Sequence, residues 1–183
     1  MFSPYVSDLL SALEMSQGDP ITVLIDGPSG AGKTAFAKEL ESAWPSSRLV
    51  TVLHLDDFYP GWDGLDSASA YVRDSIMLAR MAGQSARWQS WDWATNSPGK
   101  WNEIPASCDI VIEGCGAITY QSARVASASV WVDADDDTRK LRALSRGGED
   151  FDRHWDSWDA QFTDFVLREN PQAHASFVVG RNR

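Results

Sequence analysis

Two hydrophobic rhythms alternate along this chain. Short apolar, β-branched runs lie at 21–25, 49–55, 109–112, 129–132 and 176–179, and each reads as a buried strand. Between them, apolar residues return at helical spacing. Val6, Leu9, Leu10 and Leu13 share one face behind Ser3 and Pro4, a cap and first-turn pair. Phe36, Leu40, Ala43 and Trp44 repeat the pattern, and residues 66–82 carry Tyr71, Ile76, Met77, Leu78 and Met81 partly in register. A short helix is expected at 117–126. A further helix starts at Asp133, Asp135, Asp136 and Asp137, whose charges suit the positive end of its dipole. Gly147-Gly148 is expected to break that helix, and a last amphipathic one carries Trp155, Trp158, Phe162, Phe165, Val166 and Leu167.

Residues 83–107 fit neither rhythm. They are polar and turn-rich, so they read as one long loop, yet they hold Trp88, Trp91, Trp93 and Trp101. Such rings either stack on a planar ligand or pin the loop to the body. Elsewhere strands alternate with helices, which predicts a three-layer α/β fold: a central parallel sheet of about five strands with helices on both faces. The 183 residues make one domain, 1–183, with no internal repeat or linker.

Composition narrows the function. The formal net charge of −10 argues against a nucleic-acid partner. No apolar run approaches the ~20 residues of a membrane span, and residues 1–13 lack the basic start and apolar run of a signal peptide. A cytoplasmic protein without a membrane partner is expected; the pattern fixes no oligomeric state. Cys108 and Cys115 stand seven apart without a Cys-x-x-Cys pair, so neither zinc nor a disulfide framework is indicated.

The densest chemistry lies at Gly27-Pro28-Ser29-Gly30-Ala31-Gly32-Lys33-Thr34, which matches the phosphate-binding pattern G-x-x-x-x-G-K-[ST] between a strand and a helix. Main-chain N–H groups around Gly30, Ala31, Gly32 and Lys33 would face an anion at the helix N-terminus. Lys33 would reach the β- and γ-phosphates, and Thr34 would offer its hydroxyl to Mg²⁺. The strand ending in Glu113 has the form of a Walker B element, with Glu113 holding Mg²⁺ through water or orienting the attacking group. Asp56 and Asp57 end another strand, where ligands of parallel sheets bind. Arg139, Arg142 and Arg146 share a helix face before the two glycines, as in a closing lid over about 143–156; Arg142 and Arg146 would neutralise charge on a transferring phosphoryl group.

Together, Gly27 to Thr34, Leu55-Asp56-Asp57-Phe58-Tyr59, Ile112-Glu113-Gly114 and the arginine-bearing lid resemble the uridine kinase and nucleoside/nucleotide kinase branch of P-loop kinases, over residues 20–180. More closely, the chain resembles small actinobacterial ATP-binding proteins described as uridine kinase-like. The resemblance implies a P-loop NTPase fold with a helical lid, ATP and Mg²⁺, and transfer to a hydroxyl of a small, nucleoside-like acceptor. It makes Asp56 the base, Tyr59 part of the acceptor pocket, and Trp91-Asp92-Trp93 the start of a base-binding loop within an acceptor region of about 56–104. The lid lacks the usual dense arginines, and the His and Arg that follow the Tyr-Asp-Phe of uridine kinases are not evident. A sugar or vitamin precursor is therefore an alternative acceptor. The rival reading is a non-catalytic nucleotide-binding protein that switches a partner. No Asn-Lys-x-Asp motif of a GTPase occurs.

Overall fold

The computed structural model describes residues 3–14 and 19–180, with residues 14 and 146–150 described in backbone only. Helix α1 (Ser3–Glu14) is followed by β1 (Thr22–Asp26), α2 (Lys33–Ala43) and β2 (Val50–His54), with a 3₁₀ turn at Leu55–Asp57. Next come α3 (Leu65–Tyr71), a π-helical turn (Val72–Met77) and α4 (Leu78–Met81). The strands β3 (Ala86–Asp92), β4 (Ser97–Ile104) and β5 (Asp109–Glu113) lead to α5 (Tyr120–Val125), β6 (Ala128–Asp133), α6 (Asp136–Glu169) and β7 (Phe177–Gly180).

Five strands form one parallel sheet in the order β2-β5-β1-β6-β7. Side chains alternate across it, as the two-residue period of a strand requires. Val23 and Ile25 of β1 face a core filled by Leu9 of α1 and by Phe36 and Leu40 of α2. Leu24, Ile110 and Ile112 face the opposite core, with Leu65 of α3 and Phe162 and Phe165 of α6. Helices therefore cover both faces, and the three-layer α/β arrangement is that of the P-loop NTPase fold. Among the described residues, no helix is long and apolar enough to cross a membrane.

Three local expectations are corrected. Residues 83–107 are not a loop: β3 and β4 pair as an antiparallel hairpin, Ala86 opposite Ile104 and Trp88 opposite Asn102. Ala86 and Trp88 point inward while Arg87 points out, an alternation that the polar composition obscured. The rings of Phe58 and Trp88 stack at 4.5 Å, which docks the hairpin on the body. The helix around 66–82 also changes phase. Its π turn inserts extra chain into one turn, so Val72, Ile76 and Met77 are buried while Leu78 and Met81 face outward.

The third correction concerns the break at Gly147-Gly148. The structure carries a single 34-residue helix, α6, through both glycines. Two interior glycines cost about 1 kcal/mol each relative to alanine. Buried contacts on either side, Ala143 before and Trp155 and Trp158 after, offset that cost. The acidic start behaves as expected: Asp135 caps the helix by accepting from the Thr138 N–H.

One buried carboxylate clamps the far end of the sheet. Asp109 accepts from the main-chain N–H of Ile21, the indole of Trp44, and the Arg48 guanidinium at 2.6 Å and 2.7 Å. Burial alone would raise its pKa, but those donors outweigh it and hold the carboxyl below its ordinary value. Asp109→Ala should cost about 3 kcal/mol in urea unfolding at neutral pH, because it leaves buried donors without an acceptor. The folded pKa lies below the unfolded one, so this stability is complete above about pH 4 and disappears as pH falls through the folded value. Wild type and variant should converge on acidification; an unchanged midpoint at pH 7 would rule the clamp out.

Candidate functional site

Three neighbouring strands, β2, β5 and β1, deliver the functional residues to one edge of the sheet. Register does the placing: His54 stands opposite Glu113, and Glu113 opposite Ile25. The glycine loop leaves β1 one residue later and hands over to α2 at Lys33. Gly32 caps that helix with φ of 105°, a left-handed conformation that disfavours any side chain. Gly30 has φ of 80°, and a Cβ there would lie 1.9 Å from the Arg139 carbonyl oxygen. The loop is thus pressed against the first turns of α6.

A cavity of about 770 Å³ opens at this edge. Its floor is the loop itself, through Ser29, Gly30, Gly32, Lys33 and Thr34. Gly27 and Ala31 lie beneath: the Gly27 carbonyl accepts from Lys33 Nζ, and the Ala31 N–H is used inside the loop on the Pro28 carbonyl. Lys33 also donates to the Pro28 carbonyl at 3.0 Å and contacts Cys115 Sγ at 3.4 Å. Burial works to lower its pKa, yet Cys115, Glu113 and Asp26 overcome this and raise it, so the ammonium keeps its charge.

Thr34 Oγ1 donates to Glu113 Oε1 at 2.9 Å, and His54 Nδ1 meets the same oxygen at 2.6 Å. Burial would raise the Glu113 pKa; His54, Lys33 and Thr34 together pull it below its ordinary value, so a buried carboxylate persists. The bond to Glu113 raises His54 in turn. A hydroxyl and a carboxylate side by side suit a hard cation that completes its shell with water and phosphate oxygens. Among the described residues no cluster of three His, Cys, Asp or Glu stands ready to hold a metal on protein ligands alone.

Asp56, Asp57 and Tyr59 line the cavity beyond the loop, as does Arg142 from α6. Tyr59 is fully buried, and its hydroxyl donates to the Cys115 carbonyl at 2.8 Å. Arg139 does not reach in, being paired with Asp136 and Asp159. The Arg146 side chain lies outside the described residues. Trp91 and Asp92 are absent from the wall. Asp92 instead shapes the hairpin turn by accepting from the N–H groups of Ala94 and Thr95, and Trp91 pairs with Pro98 inside the ladder. The next residue, Trp93, is the one that lines the cavity, with its indole donating to the Asp56 carbonyl at 2.8 Å.

Sequence reasoning missed Trp62, Phe151 and Trp158 in this wall. It also missed Asp26, which is wholly buried and accepts from the N–H groups of Gly27, Gly116 and Ile118. A charged residue closing an otherwise apolar strand, directly before the loop, was the available signal. Cys108 and Cys115 are free and buried.

A parallel sheet, a glycine loop closing on Lys33-Thr34 and a strand-end carboxylate beside that threonine make up a P-loop fold. In sequence the chain is similar to uridine kinases. It is 26% identical to the uridine kinase of Streptococcus gordonii over 167 residues, covering 82% of this chain and 78% of that protein. Among solved structures it is similar to a possible uridine kinase from Bacillus stearothermophilus, with 17% identity, a TM-score of 0.64, and 94% of this chain and 100% of the other covered. It is also similar to D-glycerate 3-kinase from Cryptococcus neoformans, at 14% identity and a TM-score of 0.51, covering 96% and 88%. No protein-family model matches the chain.

Asp26 makes stability beneath the loop depend on pH. Burial raises its pKa from 3.8 to about 6, against the opposing pull of the three N–H groups and Lys33. Between those values the folded chain keeps a proton that the unfolded chain has released, so stability falls as pH rises through the window. The advantage of wild type over Asp26→Ala should shrink by roughly 2 kcal/mol between pH 4 and pH 7. Unfolding both proteins across that range tests it; a constant difference would show that Asp26 does not titrate there.

Proposed function

We propose that this chain is a small-molecule kinase, moving the γ-phosphoryl group of ATP to a hydroxyl of a small acceptor. The observation that carries the reading is the convergence of Lys33, Thr34, Glu113, Asp56 and Arg142 on one cavity. Its relatives' names support it: uridine kinase and D-glycerate 3-kinase both denote phosphoryl transfer to an alcohol. The acceptors named there differ, so they support the reaction class more than any one acceptor.

In this reading the amides of Gly30, Gly32, Lys33 and Thr34 hold the triphosphate, the Ala31 amide being used within the loop, and Lys33 leaves its own loop carbonyls for the β- and γ-phosphates. Thr34 and Glu113 hold Mg²⁺, which, when bound, neutralises phosphate charge. Asp56 accepts the acceptor's hydroxyl proton. The acceptor oxygen forms a bond to the γ-phosphorus as the bond from that phosphorus to the bridging oxygen breaks, and ADP leaves with the electron pair. Arg142, joined by Arg146, neutralises charge on the transferring oxygens. Tyr59 closes the acceptor side, and 143–156 serves as the lid. Little covalent assistance is needed, so placement and charge carry most of the rate.

A non-catalytic nucleotide switch would need Lys33 and Thr34 but no proton acceptor opposite them, and Asp56 in the cavity wall favours the kinase. Lys33→Ala should abolish ATP turnover while the protein stays folded. Asp56→Asn should keep nucleotide affinity and reduce transfer at least ~100-fold, the usual worth of a positioned base. Isothermal calorimetry with an ATP analogue and an ADP-release assay separate the two effects. Full transfer by Asp56→Asn would remove Asp56 from the mechanism.

A further inference from the structure

The half of the cavity facing the glycine loop is built mostly from rings. Trp62 sits at its centre, edge-on to Trp93 at 5.2 Å and to Phe151 at 5.5 Å, and more loosely to Trp158 at 6.3 Å. On a further side Trp62 stacks on His154 at 4.6 Å, which fixes its plane. Tyr59 packs edge-on to Trp158 at 4.7 Å. These rings come from the hairpin tip, the loop after β2 and helix α6. Cross-bonds hold those three segments together, Trp93 to the Asp56 carbonyl and Gln161 to the Trp62 carbonyl.

Matching donors and acceptors decides what such a wall can recognise. A pyrimidine edge presents carbonyl acceptors that need N–H or O–H partners, whereas the hydroxyls of a polyol both donate and accept. Here the Tyr59 hydroxyl is already used on Cys115, and the Trp93 indole on Asp56. Among the described lining residues there is no Asn or Gln, and the two cations, Lys33 and Arg142, serve phosphates in the kinase reading. What the wall presents is aromatic side chains with two carboxylates, Asp56 and Asp57, beside them. Ring faces carry negative quadrupole charge and attract cations, most of all when desolvated. The net charge of −10 reinforces that preference at long range.

From this, and resting on the kinase reading of the same site, we infer that the acceptor is a small alcohol bearing an ammonium group, caged by Trp62, Trp93, Phe151 and Trp158 with Asp57 alongside. The ammonium anchors the molecule in the rings. Its hydroxyl extends toward Asp56, gives up its proton there, and the oxygen takes the γ-phosphoryl group as ADP departs.

The test uses the full chain loaded with Mg²⁺ and a non-hydrolysable ATP analogue. Choline, its neutral isostere 3,3-dimethyl-1-butanol, glycerol and uridine are titrated by calorimetry, and each is run separately for ADP release with ATP. Choline should bind at least tenfold more tightly than the neutral isostere. Trp62→Leu should lose at least tenfold of that affinity, and Trp62→Phe, which keeps a ring face, should retain most of it. Equal binding of the isostere, or preferred binding of uridine or glycerol, overturns the cage whatever the turnover. Choline binding without choline-dependent ADP supports the cage and overturns the kinase reading; ADP release with uridine or glycerol alone does the reverse.

Discussion

Everything at the working edge of the sheet depends on how the end of β1 is held. Asp26 sits under the glycine loop, and its carboxylate gathers three main-chain N–H groups from two separate segments. One is the first amide of the loop; the others belong to the turn that follows Glu113. The loop that would cradle phosphates and the strand end that would hold the cation are therefore fixed to one another by a single buried group. Such a group is costly to bury, and the cost shows as its raised pKa. The return is geometric: Thr34 and Glu113 meet at 2.9 Å.

The same economy runs through the neighbouring contacts. Lys33 rests on the carbonyls of Gly27 and Pro28, Thr34 on Glu113, and Glu113 on His54. Lys33, Thr34 and Glu113 each have a protein partner that a phosphate or a cation can replace. A buried ammonium and a buried carboxylate thus stay charged on protein partners, so little reorganisation is needed to admit a phosphate or a cation.

How much of this was legible in sequence depended on whether the signal was local. The strand-loop-helix around Lys33 was, because the glycines, the lysine and the threonine stand together in one short stretch between an apolar strand and an amphipathic helix. The central strands β1, β5 and β6 were legible too, since burial on both faces leaves an unbroken apolar run. The hairpin was obscured because only one of its faces is buried, and Trp101 on the other is exposed. The continuous α6 was obscured because tertiary contacts at Ala143, Trp155 and Trp158 override the preference of two glycines. Trp62, Trp93, Phe151 and Trp158 meet only once distant segments fold together, so spacing along the chain carried no trace of the wall they form. For the same reason Trp91 and Asp92 looked like site residues, whereas the hairpin turn assigns that place to Trp93.

The two halves of the cavity are made of different material. One is main chain, bent by glycines and anchored from below by Asp26, so nearly every position in it is constrained. The other is side chains drawn from three surface segments, each of which can change without disturbing the sheet. Under mutation and selection, an ancestor of this design can exchange one alcohol for another while its donor chemistry stays put. Divergence within such a lineage should accumulate at the rings and spare the turn.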